Sequence, residues 1–261
     1  MILVADIGNT NISFALFHGD AIKGRWRARS DKLRTADEYA VWLVSLLQQS
    51  SIALAGIEAL VIVSVVPALS GTIEQMGNRV LGAKKSFLLG TKALPFPIEA
   101  RIDIPSQAGA DRLVNAFESW ACYGGPLVAI DFGTATSFDV VTRDGAFAGG
   151  LLAPGVNLSL EALYKAASRL PRIEIMPPQN IIGKNTEDAM RGGIYWGYLS
   201  MVEGIISRMS AALEEEPRVI ATGGLADFFA EACPKIELVD PDLTLRGIKR
   251  VYDYYLEKGI L

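Results

Sequence analysis

Histidine is almost missing from this chain, with one residue, His18, among 261. A Ser-His-Asp triad, a histidine-rich zinc site or a histidine general base would each depend on that side chain, and it falls in the turn-like Phe17-His18-Gly19-Asp20. Any proton acceptor is therefore expected to be a carboxylate. Cysteine is scarce as well: Cys122 and Cys233 have neither metal-ligand spacing nor the density of a secreted disulfide scaffold, so a reducing, cytoplasmic setting is expected. No apolar run approaches the roughly 20 residues that span a bilayer. The apolar start Met1-Ile2-Leu3-Val4-Ala5 is cut short by Asp6 and offers no signal-peptide core. The net charge is −4 with both signs interspersed, and the absence of a basic stripe argues against nucleic acid or an anionic membrane as partner. Neither a Walker A sequence nor a strand-following Gly-x-Gly-x-x-Gly occurs, which removes two common phosphate cradles.

What is present is apolar material for two cores, half of all residues. Ile2–Ala5 reads as a strand running into the glycine turn Asp6-Ile7-Gly8-Asn9-Thr10-Asn11, with Ile12–Phe17 as the return strand. Arg25-Trp26-Arg27-Ala28-Arg29 alternates in period two and reads as a third strand with a solvated arginine face. Thr35 and Glu38 form a capping box, followed at helical spacing by Tyr39, Trp42, Leu43, Leu46 and Leu47. A strand over 57–66, a helix marked by Leu69, Ile73, Met76 and Val80, and a strand from Lys85 to Leu89 follow. Residues 91–108, with three prolines, read as an irregular connection of the kind that often binds ligands. Gly109-Ala110-Asp111-Arg112 then opens a helix carrying Leu113, Phe117 and Trp120 on one face.

From Pro126 the order starts again. A strand over 127–130 leads into Asp131-Phe132-Gly133-Thr134-Ala135-Thr136, 125 residues after the first turn, with a return strand through Val141 and a third toward Leu152. A period of half the chain points to duplicated domains rather than a solenoid. A helix around Leu160 follows. Asn185 or Thr186 caps a long helix striped by Met190, Ile194, Tyr198, Val202, Ile206 and Met209. Strands over 219–222 and 236–239 precede a last helix marked by Leu245, Ile248, Val251, Tyr252 and Tyr255.

An aspartate ending a buried strand, followed by Gly and then Asn or Thr, suits one task. The glycine admits phosphate oxygens to backbone amides, the side chains donate hydrogen bonds, and the carboxylate attracts Mg²⁺ through water. Two such turns facing across a cleft grip a polyphosphate from both sides. The duplication fits an α/β fold of two ribonuclease-H-like domains, the actin-like ATPase architecture, with a nucleotide cleft between them. Gly223-Gly224 then occupies the place of the adenosine-side turn.

The chain also resembles the type III pantothenate kinases over essentially its whole length. The resemblance rests on the two turns, on Gly109-Ala110-Asp111-Arg112 with Asn115, and on Gly149-Gly150 with Pro154-Gly155. It continues through Asn185-Thr186 with Ala189-Met190 and Gly193, Ala221–Ala226, Val239-Asp240-Pro241 and Leu243-Thr244-Leu245. It implies transfer of the ATP γ-phosphoryl group to pantothenate, the first step of coenzyme A synthesis. Asp6, Ile7, Gly8, Asn9, Thr10, Asn11, Ile12 and Ser13 would bind ATP, with Asp6 toward Mg²⁺ and Thr134 on phosphate. Asp131 would hold K⁺ or NH₄⁺. Gly109, Ala110, Asp111, Arg112 and Thr186 would bind pantothenate, and Asp111 would be the catalytic base, kept ionised by Arg112.

By the same resemblance, residues 1–118 carry the ATP turn and pantothenate loop, residues 119–261 the second turn and the adenosine side, and the protein is a homodimer. Members often have tyrosine and asparagine where this chain has Ile102 and Ile104, which bears on the acceptor pocket. Two other readings fit the same sequence: a regulatory or accessory protein on the same fold, and a kinase of another small alcohol.

Overall fold

An apolar run without polar alternation is the mark of a strand covered on both faces, and the residues before Asp6 form one. In the computed structural model, which describes residues 1–82, 86–167 and 170–261, the chain runs β1 (Ile2–Ile7), β2 (Asn11–His18), β3 (Ala21–Arg29), α1 (Ala36–Gln49), β4 (Ala59–Ser64), α2 (Pro67–Leu81), β5 (Ser86–Leu88) and α3 (Ala110–Tyr123). It continues with β6 (Leu127–Phe132), β7 (Ala135–Val141), β8 (Phe147–Pro154), α4 (Val156–Ala166), α5 (Thr186–Ala212), β9 (Arg218–Gly223), α6 (Ala226–Ala230), β10 (Leu238–Val239) and α7 (Leu243–Glu257). Lys85, expected to begin β5, lies outside the described residues.

Two units form, Met1–Cys122 with Asp242–Leu261, and Tyr123–Pro241. Each holds a five-stranded sheet, ordered β3-β2-β1-β4-β5 in the first and β8-β7-β6-β9-β10 in the second. In both, the first three strands pair antiparallel and the last two join parallel. The expected α/β duplication is therefore present strand for strand.

In the first unit Leu3, Ala5 and Ile7 of β1 meet α1 and α2 through Tyr39, Leu43, Leu69 and Ile73. The capping box that starts α1 is formed, with Glu38 N–H donating to Thr35 Oγ1 and Thr35 N–H to Glu38 Oε2. The opposite face of β1 and β4, with Ile2, Val4, Val61 and Val63, is covered by Ile248, Val251, Tyr252 and Tyr255 of α7. The last helix thus belongs to the first unit, although chain order sets it in the second half. Its wide apolar stripe covers the sheet face that α1 and α2 leave open.

The three apolar residues that share a face of α3 are not its most buried ones. Leu113 and Phe117 are only half-buried and Trp120 is 37% exposed, whereas Asn115, Glu118 and Ser119 are buried. Buried polar groups need partners, and α7 supplies them for Asn115 and Glu118. Thr244 Oγ1 donates to Asn115 Oδ1 at 2.7 Å, and Glu118 accepts from Arg246 Nε at 3.2 Å and Arg250 Nε at 2.5 Å.

In the second unit Val128, Ile130, Phe132 and Phe138 pack beneath Tyr198, Val202 and Ile206 of α5. Asn185 is the cap of α5, accepting from Asp188 N–H at 2.9 Å, which leaves Thr186 as the first helical residue.

Candidate functional site

Asp6 stands one residue from the end of β1, opposite Ser13 on β2 and Val63 on β4. Beyond it the chain reverses over Gly8, Asn9 and Thr10. Gly8 N–H donates to Asn11 O at 3.0 Å, and a β-carbon on Gly8 would stand 3.1 Å from that oxygen, so the tight reversal favours glycine. Ile7 and Ile12 point into the core and Asn9 and Thr10 are exposed, so the two isoleucines have only backbone to offer a ligand. Ser30, just after β3, laces the turn from outside: its Oγ donates to Gly8 O at 2.5 Å and its N–H to Thr10 O at 3.0 Å. Nothing in the sequence around Ser30 marks it, because its role depends on β3 returning alongside β2.

The second turn is one residue shorter than the first, with Gly133 and Thr134 between β6 and β7. Gly133 N–H donates to Ala135 O at 3.2 Å and Thr134 is exposed. Gly155 closes over it, giving its N–H to Thr134 O at 3.1 Å; a β-carbon there would come within 2.5 Å of Gly133 O and Thr134 O. Asp131 is paired with Ser137 on β7 and Thr222 on β9. Its Oδ1 would be 2.5 Å from a β-carbon on Gly223, whose φ of +93° suits glycine. Behind the turn the Thr136 and Tyr198 hydroxyls are hydrogen-bonded in the core, and burial raises the Tyr198 pKa. Sequence reasoning named Gly155 and Gly223 as markers but did not foresee that both close on the Asp131 turn.

At the opening of α3, Leu113 N–H donates to Gly109 O at 3.1 Å, and Asp111 lies in the first turn. Asp111 Oδ1 accepts from Arg112 N–H at 2.8 Å and would stand 2.6 Å from a β-carbon on Gly109. The Asp111 carboxyl is not held low by Arg112, as its charge alone would suggest. Burial dominates and lifts the pKa above the ordinary aspartate value, opposed by the Arg112 amide and guanidinium. Upstream, Ile102 is half-buried, Ile104 is exposed, and Arg101 pairs with Glu99 at 2.8 Å. Thr186 is exposed at the start of α5.

Among the described residues no group of three or more His, Cys, Asp or Glu side chains could hold a metal ion. Mg²⁺ keeps several waters and binds largely through substrate phosphates, so one carboxylate such as Asp6 would be enough to hold it. Thr222 and Ser137 stand beside Asp131 in strand register, so the side chains there offer oxygen donors, a set that fits K⁺ or NH₄⁺.

A sequence profile of the type III pantothenate kinase family matches residues 2–208. The chain belongs to the type III pantothenate kinase family. It is 46% identical over 252 residues to the type III pantothenate kinase of Phenylobacterium zucineum, covering 97% of each chain. Its fold is similar to a crystal structure from Campylobacter jejuni described as a transcriptional activator of the Baf family, at TM-score 0.62 and 18% identity, over 99% of this chain and 100% of that one. It is also similar to the inorganic polyphosphate/ATP-glucomannokinase of Arthrobacter, at TM-score 0.51 and 15% identity, over 98% of each. Identities that low speak for the fold alone. In this chain Asp6, Asp131 and Thr134 stand on the two glycine turns and Asp111 in the first turn of α3.

Proposed function

We infer that the protein transfers the γ-phosphoryl group of ATP to pantothenate, giving 4′-phosphopantothenate and ADP, the first step of coenzyme A biosynthesis. The observation that carries this reading is the family match, 46% identity over 97% of both chains, with both glycine turns intact. Phosphoryl transfer passes through a loose transition state, so catalysis is mainly positioning and charge neutralisation.

In this reading residues 1–118 supply the ATP turn and the acceptor loop, and residues 119–261 supply the second turn and the adenosine side at Gly223-Gly224. The segment Asp6–Ser13 holds the ATP phosphates through backbone amides and the Asn9, Thr10 and Asn11 side chains, and Thr134 contacts phosphate. Asp111 takes the proton of the acceptor hydroxyl. A carboxyl lifted above its usual value is the stronger base once ionised, and its place in the first turn of α3 fixes it. Arg112 receives the pantothenate carboxylate, with Gly109 and Ala110 admitting the substrate to the helix start and Thr186 hydrogen-bonding it. Asp6 faces Mg²⁺ and Asp131 holds K⁺ or NH₄⁺; bound there, these ions supply the positive charge that phosphoryl transfer needs.

The protein works as a homodimer in the cytoplasm. Supporting this are the exposed Leu151 and Leu152 on the edge strand β8, which a second copy would cover, and two cysteines that stay unpaired. No helix among the described residues is long and apolar enough to cross a membrane.

One observation favours a second acceptor. Ile102 sets an apolar, half-buried side chain where many members have tyrosine, and the same apparatus could then serve another small alcohol. Mass spectrometry of products from ATP, Mg²⁺ and a panel of alcohols tests the choice. Phosphopantothenate as the dominant product supports pantothenate; preferred phosphorylation of another alcohol overturns it.

A further inference from the structure

Strand register sets Thr222, Asp131 and Ser137 side by side on β9, β6 and β7. Residues directly opposite one another share a face of the sheet. Their neighbours Ile130, Phe132 and Phe138 fill the core beneath α5, so the polar row lies on the face turned away from α5. Thr222 and Ser137 are only 2% and 6% exposed, and hydroxyls buried that deeply are kept for a reason. One pair further along β7, Asp139 is 1% exposed and accepts the Ser137 hydroxyl proton at 2.8 Å. With its proton committed to Asp139, the Ser137 oxygen keeps its lone pairs for another partner.

The strand itself is shaped at this point. The β7–β8 register shifts between Asp139 and Val141, and a β-carbon on Gly150, opposite Asp139, would collide with β7 backbone and stand 3.0 Å from Asp139 Oδ1. Irregularities of this kind re-aim side chains near functional sites. A carboxylate in register with two hydroxyl residues is a row of hard oxygen donors, which suits a hard cation rather than a soft metal ion.

We propose that Thr222, Asp131 and Ser137 together form the protein's share of the monovalent cation's oxygen shell, with Asp139 as the positioning residue that fixes the Ser137 hydroxyl. This rests on the assignment of Asp131 to that cation.

The test uses the full chain in two ways. Thermal unfolding in KCl, against NaCl and choline chloride at matched ionic strength, reads cation binding without turnover, and ADP release against K⁺ concentration reads its use. Ser137→Ala and Thr222→Val are expected to raise the K⁺ needed for half-maximal stabilisation and half-maximal turnover about tenfold, the scale of losing a metal-site contact. Both leave the KM for pantothenate unchanged, and Ser137→Thr restores the wild-type K⁺ response. Asp139→Ala shifts the K⁺ response in the same direction, and Asp139→Asn, which still accepts a hydrogen bond, shifts it less.

If Ser137→Ala and Thr222→Val lower the melting temperature equally in KCl and choline chloride and keep the wild-type K⁺ dependence, the row is merely structural and the proposal is overturned. Loss of the K⁺ response in Asp131→Asn alone leaves the Asp131 assignment standing without the proposal. An Asp131→Asn variant that keeps the wild-type K⁺ response removes both.

Discussion

Glu118, with no exposed surface on α3, accepts from Arg250 Nε at 2.5 Å across to α7. Arg246 adds a second contact at 3.2 Å, and Cys122 Sγ donates to Glu118 Oε1 at 3.1 Å. The carboxylate therefore fastens together the helix that begins with Asp111 and the helix that covers the second face of the first sheet.

Replacing Glu118 by Gln keeps the shape and removes the charge facing two arginines. Both arginines are partly exposed and recover some hydration, which sets the cost below that of a fully buried pair. We expect a loss of about 2 kcal/mol, the scale of a hydrogen bond to a charged group, read from urea unfolding. Turnover well below the melting temperature should change far less than stability does.

Asp111 gives a prediction with opposite signs for activity and stability. Its folded pKa is raised, so the folded protein holds that proton more tightly than the unfolded chain between the two values. Stability from this group is present at low pH and is lost as pH rises from the unfolded value through the folded one. At neutral pH the ionised, half-buried carboxylate is therefore a cost, and Asp111→Asn should melt no lower than wild type at pH 7 while losing activity. In the wild type kcat/KM should fall on acidification at a pH above the ordinary aspartate value, as the base is protonated. A marked drop in melting temperature for Asp111→Asn at pH 7 would contradict this.

Ser30 holds the first turn without being part of its motif. Ser30→Ala removes the hydroxyl bond to Gly8 O, a contact of about 1 kcal/mol, and should raise the KM for ATP roughly fivefold. The KM for pantothenate should not follow. Equal changes in both would mean that Ser30 supports the unit generally and not the ATP turn.

Where the chemistry is local, the sequence was enough. The two turns, the Thr35–Glu38 box, the α5 stripe and the repeated strand order depend on residues close in the chain, and each formed. The buried face of α3 was not legible, because Asn115, Glu118 and Ser119 look like surface residues until α7 brings Thr244, Arg246 and Arg250 beside the first two. The placement of α7 was hidden for the same reason: its stripe announces a helix but not which sheet it covers. Ala226–Ala230 is a helix of five residues, too short for periodicity to register. At the site, Asp6, Asp111 and Asp131 stand at strand ends or a helix start, as read. Ser30, Ser137 and Asp139 became visible only with strand register.

The central claim is that Asp111 deprotonates pantothenate in a cation-dependent phosphoryl transfer, and one measurement addresses it most directly. ADP release is followed with ATP, Mg²⁺ and pantothenate, in K⁺ and again in Na⁺, for wild type and Asp111→Asn. The account predicts turnover that requires pantothenate, is higher in K⁺, and falls in the variant by about 10²–10⁴-fold, the range for losing a general base. Pantothenate-dependent turnover that survives intact in Asp111→Asn, or wild-type protein that releases no ADP with pantothenate in K⁺, would contradict it.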